Sequence, residues 1–229
     1  MNQKYNYLRE FILFSEMDDR QLSEINKLLI EKEFSYEQTI FFEGEKGDRV
    51  YFLKKGRVKV CKLSAAGDEQ ILEIINSGDV FGEVVLFGKK KYPATAITMG
   101  KVKVAILNRE VFKDFFYENP RIGWGMFRVM ANKLYKSQLR IKNLGLRDAR
   151  GRMAALLIEL YRENTPVENN RGGRAKVKLD IKQQEMADII GVSRETVSRT
   201  LGLFKEQNLI SIRDKQLLIF DLEGLKKFL

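Results

Sequence analysis

The 229-residue chain has no histidine, a single cysteine and no apolar run approaching the ~20 residues that would span a bilayer. A lone thiol closes no internal disulfide. Without histidine, a Cys/His zinc site has no ligands, and a four-thiolate iron–sulfur site lacks its other cysteines. Serine–histidine and cysteine–histidine catalytic pairs are excluded for the same reason. No phosphate-loop signature or other nucleophile–base set stands out, so an enzyme is not expected and no metal ligands are assigned. Cys61 sits in the alternating run Arg57-Val58-Lys59-Val60-Cys61-Lys62-Leu63, where a half-buried strand residue is expected. The opening MNQKYNYLREF lacks the pattern of a signal peptide, which gives a cytoplasmic protein with no membrane partner as the expectation.

Acidic and basic residues are unevenly placed. Residues 1–119 hold 19 Lys+Arg and 19 Asp+Glu, so the whole net charge of +10 falls in the second half. A neutral N-terminal half joined to a basic C-terminal half offers one surface to a polyanion, of which nucleic acid is the commonest.

Met17, Leu22, Ile25, Leu28 and Leu29 recur at helical spacing and predict an amphipathic helix within residues 16–30. From Phe34 to Leu107 short apolar runs alternate with Gly44, Gly47, Gly56, Gly67, Gly78, Gly82 and Gly88, the texture of a small antiparallel barrel or roll. Asn119-Pro120 then opens a helix expected to reach about Leu144. Within it Phe127, Met130, Leu134, Ser137, Ile141 and Leu144 alternate steps of three and four, which is a coiled-coil seam, with Arg128, Lys133, Lys136, Arg140 and Lys142 as exposed basic flanks. A parallel homodimer is the expectation. ARGRMAALLIELYRE (149–163) reads as a further amphipathic helix, and Gly145 within NLGLRDAR (143–150) is expected to break the chain into a hinge. The polar stretch from Asn164 to Lys178 reads as a loop or small hairpin.

The most specific stretch is DIKQQEMADIIGVSRETVSRTLGLFKEQNLI, residues 180–210. Asp180 can cap a first helix, Gly191 can turn tightly, and Ser193 can cap a second helix from Arg194. Met186, Ala187, Ile190, Val192, Val197 and Leu201 would close the core between the two helices of a helix-turn-helix. On the second helix Arg194, Ser198, Glu195 and Arg199 fall at roughly 0°, 40°, 100° and 140°, whereas Val197, Leu201 and Phe204 cluster at roughly 300°, 340° and 280°. Arginine can contact guanine O6 and N7 together and glutamate can accept from cytosine N4, so this face suits the major groove. The alternative is a solvated face in which Glu195 and Arg199 pair with each other. Residues 211–220 predict two short strands around a charged turn, a wing with Arg213 and Lys215 placed for phosphate.

These motifs resemble the cyclic AMP receptor protein/FNR superfamily of bacterial transcription regulators over nearly the whole chain. GVSRETVSRTL with EQNLIS is similar to its recognition helix, GEKGDRVYFLKKGRVKV to its β-roll signature, and FKDFFYENPRIGWGMFRVMANKL to the start of its dimer helix. The resemblance implies an α+β protein with an N-terminal double-stranded β-helix (the jelly-roll-like cyclic-nucleotide-binding fold) over 1–119. It further implies a dimerisation helix over 120–145 and a winged helix-turn-helix over 146–229. Double-stranded DNA, a second copy of the chain and RNA polymerase are the implied partners. Arg194, Glu195 and Arg199 match the family's base-reading positions, with Ser198 beside them, and a TGTGA-like palindrome is implied. Lys182, Gln184, Ser193, Thr196, Arg213 and Lys215 would meet phosphates.

For the effector pocket the resemblance assigns Gly82, Glu83, Pro93, Ala94, Thr95, Ser137 and Gln138. Cyclic-nucleotide binders of the family carry Arg-Ser or Arg-Thr where this chain has Pro93-Ala94, and proline brings neither charge nor N–H to a phosphate. The family's cluster cysteines and haem-ligating histidine are missing as well. Cyclic AMP, an iron–sulfur cluster and haem are therefore disfavoured, leaving another small molecule as the expected effector. A regulatory module acting on a partner enzyme and a constitutive DNA binder with a structural roll are the alternatives.

Overall fold

The computed structural model describes residues 3–88, 90–164, 176–178, 181–213 and 216–229. Its residues form two compact units, Met1–Tyr135 and Lys136–Leu229.

The first unit opens with turns of 3-10 helix and α1 (Asp19–Leu28). Asp18 starts α1 through a capping box: its carboxylate accepts from Gln21 N at 2.9 Å, and the Gln21 side chain accepts from Asp18 N at 3.1 Å. The helix is shorter than the expected stripe. Leu28 is exposed and Leu29 already extended, because the chain turns here into β1 (Ile30–Phe34). The glycine-punctuated segment supplies β2 (Thr39–Phe41), β3 (Arg49–Lys55), β4 (Arg57–Leu63), β5 (Glu69–Asn76), β6 (Val80–Phe81), β7 (Thr95–Thr98) and β8 (Val102–Asn108), with a short α2 (Val84–Phe87) after β6. They pair antiparallel as two four-stranded sheets, β1-β8-β3-β6 and β2-β7-β4-β5. This is the expected roll. Gly56, between β3 and β4, has φ +95°, and a Cβ there would lie 2.5 Å from the Lys101 carbonyl, so both backbone conformation and space demand glycine. Cys61 is fully buried in β4 rather than half-buried, because a register shift between Val60 and Cys61 breaks the alternation and buries it along with Val58.

Two apolar clusters hold this unit. Inside the roll, Phe41 stacks on Tyr92 at 3.8 Å, beside Tyr51 and Phe81. On one flank, Phe11, Phe14 and Phe52 meet side chains from α3 (Arg109–Glu118) and the start of α4 (Ile122–Leu146), among them Phe112, Phe115, Ile122, Met126 and Val129. Pro120 lies just before α4, in a turn where Ile122 N donates to Asn119 O and Gly123 N to Pro120 O. Gly125 brings α4 hard against the chain at Leu13, where a Cβ would sit 2.3 Å from the Leu13 carbonyl. Gly125→Ala should therefore destabilise this unit by about 1–3 kcal/mol through overpacking, read as a lowered melting temperature, whereas Gly145→Ala, with open space around it, should not. Gly145 does not break the helix as expected: α4 runs through it to Leu146, and only Arg147 and Asp148 separate it from α5 (Ala149–Asn164).

The second unit continues with α5, β9 (Lys176–Lys178), α6 (Gln183–Ile190), α7 (Arg194–Glu206), β10 (Ile210–Arg213), β11 (Gln216–Ile219) and α8 (Leu222–Lys226). The strands form an antiparallel sheet in the order β10-β11-β9. Met153, Leu157, Met186, Ala187, Val197, Leu201, Phe204, Leu217 and Ile219 are buried in its core. Most of the loop expected between Asn164 and Lys178 lies outside the described residues. No described helix is long and apolar enough to cross a membrane.

Candidate nucleic-acid interface and effector pocket

The turn between α6 and α7 is built by local chemistry. Gly191 takes a left-handed conformation (φ 66°) that an L side chain resists, and both its N–H and that of Val192 donate to the Ala187 carbonyl, closing α6. Ser193 then caps α7, its hydroxyl accepting from Thr196 N at 3.2 Å. At the other end of α6 the cap is Lys182, whose N–H donates to the Glu185 carboxylate at 2.7 Å; the expected cap, Asp180, lies outside the described residues.

With its start fixed, α7 buries Val197, Thr200, Leu201 and Phe204 and exposes Arg194, Glu195, Ser198 and Arg199. Glu195 makes no ion pair with Arg199; the Arg199 guanidinium instead donates weakly to Thr196 Oγ1 at 3.5 Å. Among the described residues, Arg194, Glu195 and Ser198 thus keep their side chains free on one helix face, beside a weakly held Arg199. Lys182, Gln184, Ser193 and Arg213 are exposed and Thr196 is half-buried, while Lys215 lies outside the described residues.

Sequence reasoning missed a residue behind this surface. Arg152 of α5 donates to the Ile190 carbonyl at 2.9 Å, the last of α6, and to the Arg147 carbonyl at 3.1 Å. One guanidinium thereby ties the end of α6 to the connection after α4. Arg152→Ala should cost this unit about 1–3 kcal/mol and loosen the turn that aims α7, lowering specific operator affinity more than non-specific affinity; Arg152→Lys should recover part of it. Melting temperature and operator titration read the two effects separately.

In the first unit, Gly82 (φ +74°) is close enough to the Tyr51 ring that a Cβ would lie 3.2 Å from it. It turns the chain so that Glu83 enters the protein at only 2% exposure. Glu83 Oε1 pairs with Lys133 Nζ of α4 at 3.3 Å, and Lys133 also donates to Glu73 Oε2 of β5 at 3.1 Å. Burial pushes the Glu83 carboxyl above its ordinary range, with Lys133 pulling it back. Burial likewise works to lower the Lys133 ammonium, but Glu83 and Glu73 together outweigh it and hold it above the usual lysine value. The expected exposed flank is corrected here: Lys133 points inward, one turn beyond Val129 and two beyond Met126, both buried.

The other expected pocket residues are less engaged. Pro93 is exposed and Ala94 buried. Thr95 is buried with its hydroxyl oxygen accepting from Glu43 N at 3.1 Å, which fixes the side chain and leaves its O–H as a donor. Ser137 and Gln138 are exposed. Along the expected seam Phe127, Leu134, Ser137, Ile141 and Leu144 are all exposed, whereas Met130 is half-buried against the flank cluster.

Residues 31–119 match the cyclic nucleotide-binding domain, and residues 151–228 match the Crp-like helix-turn-helix domain. A "CRP-like cAMP-activated global transcriptional regulator" of Mycobacterium tuberculosis is 30% identical over 215 residues, covering 94% of this chain and 95% of its own. The chain belongs to the cyclic AMP receptor protein/FNR family of transcription regulators. The "cAMP-activated global transcriptional regulator CRP" of Salmonella typhimurium is 31% identical over 183 residues, 80% of this chain and 85% of that one. A CooA mutant from Carboxydothermus hydrogenoformans shares the fold with a TM-score of 0.79 at 23% identity, over 100% of this chain and 96% of that one. The double-sheet roll, long helix and helix-turn-helix are thus the family's architecture. The cyclic nucleotide that the family's first domain implies does not fit the residues present. Neither Pro93 nor Ala94 offers a donor side chain, and the cation beside Glu83 is already held between two carboxylates.

Proposed function

We propose that the protein is a homodimeric, sequence-specific DNA-binding transcription regulator that reads a TGTGA-like palindrome and answers to a small effector other than cyclic AMP. The observation that carries this is α7: capped at Ser193, buried along Val197, Leu201 and Phe204, and presenting Arg194, Glu195, Ser198 and Arg199 without an internal ion pair. Set in the major groove, Arg194 and Arg199 suit guanine, Glu195 suits cytosine, and Ser198 is the short member that governs the inner half-site position. Lys182, Gln184, Ser193, Thr196, Arg213 and Lys215 would hold the phosphates on either side.

Residues 1–119 act as the sensing domain, 120–145 as the dimerisation helix and 146–229 as the DNA-binding domain. The exposed apolar line Phe127, Leu134, Ile141 and Leu144 supports a second copy as the partner of α4. An effector acts by binding one arrangement of the dimer better than the other, and the connection after Leu146 is where the two arrangements would part. RNA polymerase is the onward partner at a promoter. The test is selection from a randomised duplex pool: enrichment of an inverted TGTGA-like repeat with half-sites about one helical turn apart supports the proposal. Recovery of unenriched sequence sinks it.

A further inference from the structure

The pocket side of this proposal can be carried to a ligand class, on the assumption that the roll is the sensing domain. Around Glu83 the charges are two carboxylates and one ammonium, which leaves a net negative site among the described residues. Lys133 Nζ satisfies Glu83 Oε1 and Glu73 Oε2, but Glu83 Oε2 is buried with no hydrogen-bond partner among the described residues. A buried carboxylate oxygen without a donor pays its full desolvation, and the complement that relieves it is a hydrogen-bond donor, best a charged one. A phosphate entering the same space would meet like charge on both carboxylates and find Lys133 spoken for.

We propose that Glu83 and Glu73 form an ammonium-accepting site, filled within the chain by Lys133, and that ligands entering the roll here carry a protonated amine that takes over Lys133's place. On this view the familiar phosphate chemistry of the fold is reversed in sign: the chain keeps the acceptor glutamate, lacks the clamping arginine, and supplies its own cation from α4. Alkylammonium groups, amino-sugar amines and polyamines belong to the class admitted, and cyclic nucleotides to the class refused.

The test is chemical rescue in the full-length protein. Lys133→Ala leaves Glu83 unpaired and should lower the melting temperature by roughly 5–10 °C. n-Propylammonium at tens of millimolar should then raise it by roughly 2–4 °C, while n-propanol and cyclic AMP at the same concentrations do not; wild type, where the tethered Lys133 competes for the same two carboxylates, should respond to the amine only at higher concentration, and to propanol and cyclic AMP not at all. Adding Glu83→Gln to Lys133→Met should restore stability close to wild type and abolish any amine response, which keeps the test decisive if the alanine variant folds poorly. Lys133→Met as stable as wild type, rescue by propanol as good as by the amine, or a melting shift of wild type with cyclic AMP would each overturn the proposal. Operator selectivity of wild type is measured alongside. If it is present while rescue fails, only the ammonium site is wrong; if it is absent, the regulator assignment itself has failed.

Discussion

Arg199→Ala should flatten the preference for one guanine in each half-site and leave preference at the other positions standing. Arg199 lies on the exposed face of α7 and is committed only to a 3.5 Å contact with Thr196, so its guanidinium is available for guanine O6 and N7 at little cost in lost internal bonding. One such bidentate contact is worth about 1–3 kcal/mol of discrimination, and a two-fold symmetric dimer makes it twice, so a full palindrome should lose between about 30-fold and 25,000-fold in affinity. Sites already changed at that guanine should lose almost nothing. Arg213→Ala, at the exposed end of β10, supplies the contrast: it should weaken all sequences alike and reduce the slope of log affinity against log salt by about one for each copy. Fluorescence anisotropy titrations against a matched panel of single-position variants check both. Equal loss from the two changes on scrambled sites would remove Arg199 from base reading.

The second large effect concerns assembly. Leu134→Glu combined with Ile141→Glu should yield a folded monomer that no longer binds the palindrome. Both side chains are exposed in the single chain, at 62% and 70%, so the substitutions cost the fold of one copy little. In a parallel pair they would put four carboxylates into the seam in place of four aliphatic side chains, each worth about 1.5–3 kcal/mol when buried. Dimer affinity should fall by more than about a thousandfold, and operator binding with it. Sedimentation velocity reads the mass and circular dichroism confirms the helix content; a variant that stays dimeric would place the interface elsewhere. Phe127, exposed and two turns nearer the start of α4 than Leu134, extends the same surface, and the exposed Trp124 meets its edge at 6.2 Å.

Local chemistry made the helix-turn-helix legible. Gly191 and Ser193 each have one job at one position, and the apolar spacing from Met186 to Leu201 leaves a single way to close two helices. The roll was legible as a texture, since glycines mark its turns, but pairings such as β1 with β8 join residues some seventy positions apart and follow from no local signal. The pocket was half legible. Pro93 announced the missing clamp, yet Lys133 was counted among solvated flanks because lysine at the edge of an apolar stripe ordinarily is. Its spacing from Met126 and Val129 carried the signal; what overrode the usual rule was a pair of carboxylates from β5 and the turn after β6, brought together only by folding. Arg152 escaped for a similar reason, as its partners are backbone carbonyls that every residue has. Gly145 misled in the other direction, because one glycine in a helix costs only about 1 kcal/mol and α4 absorbs it.

Lys133 and Leu134 are neighbours on α4, and about 100° of turn separates them, so one faces the carboxylates and the other faces out. The helix is in effect an axle with a gear tooth on each side. If a ligand frees the lysine and the helix rolls by about 20°, side-chain tips some 5–6 Å from its axis travel about 2 Å, enough to move a knob toward the rim of its hole. A charge exchanged inside the roll would then be felt as a change of mesh along the seam, at the cost of repacking Met126 and Val129 against the flank cluster.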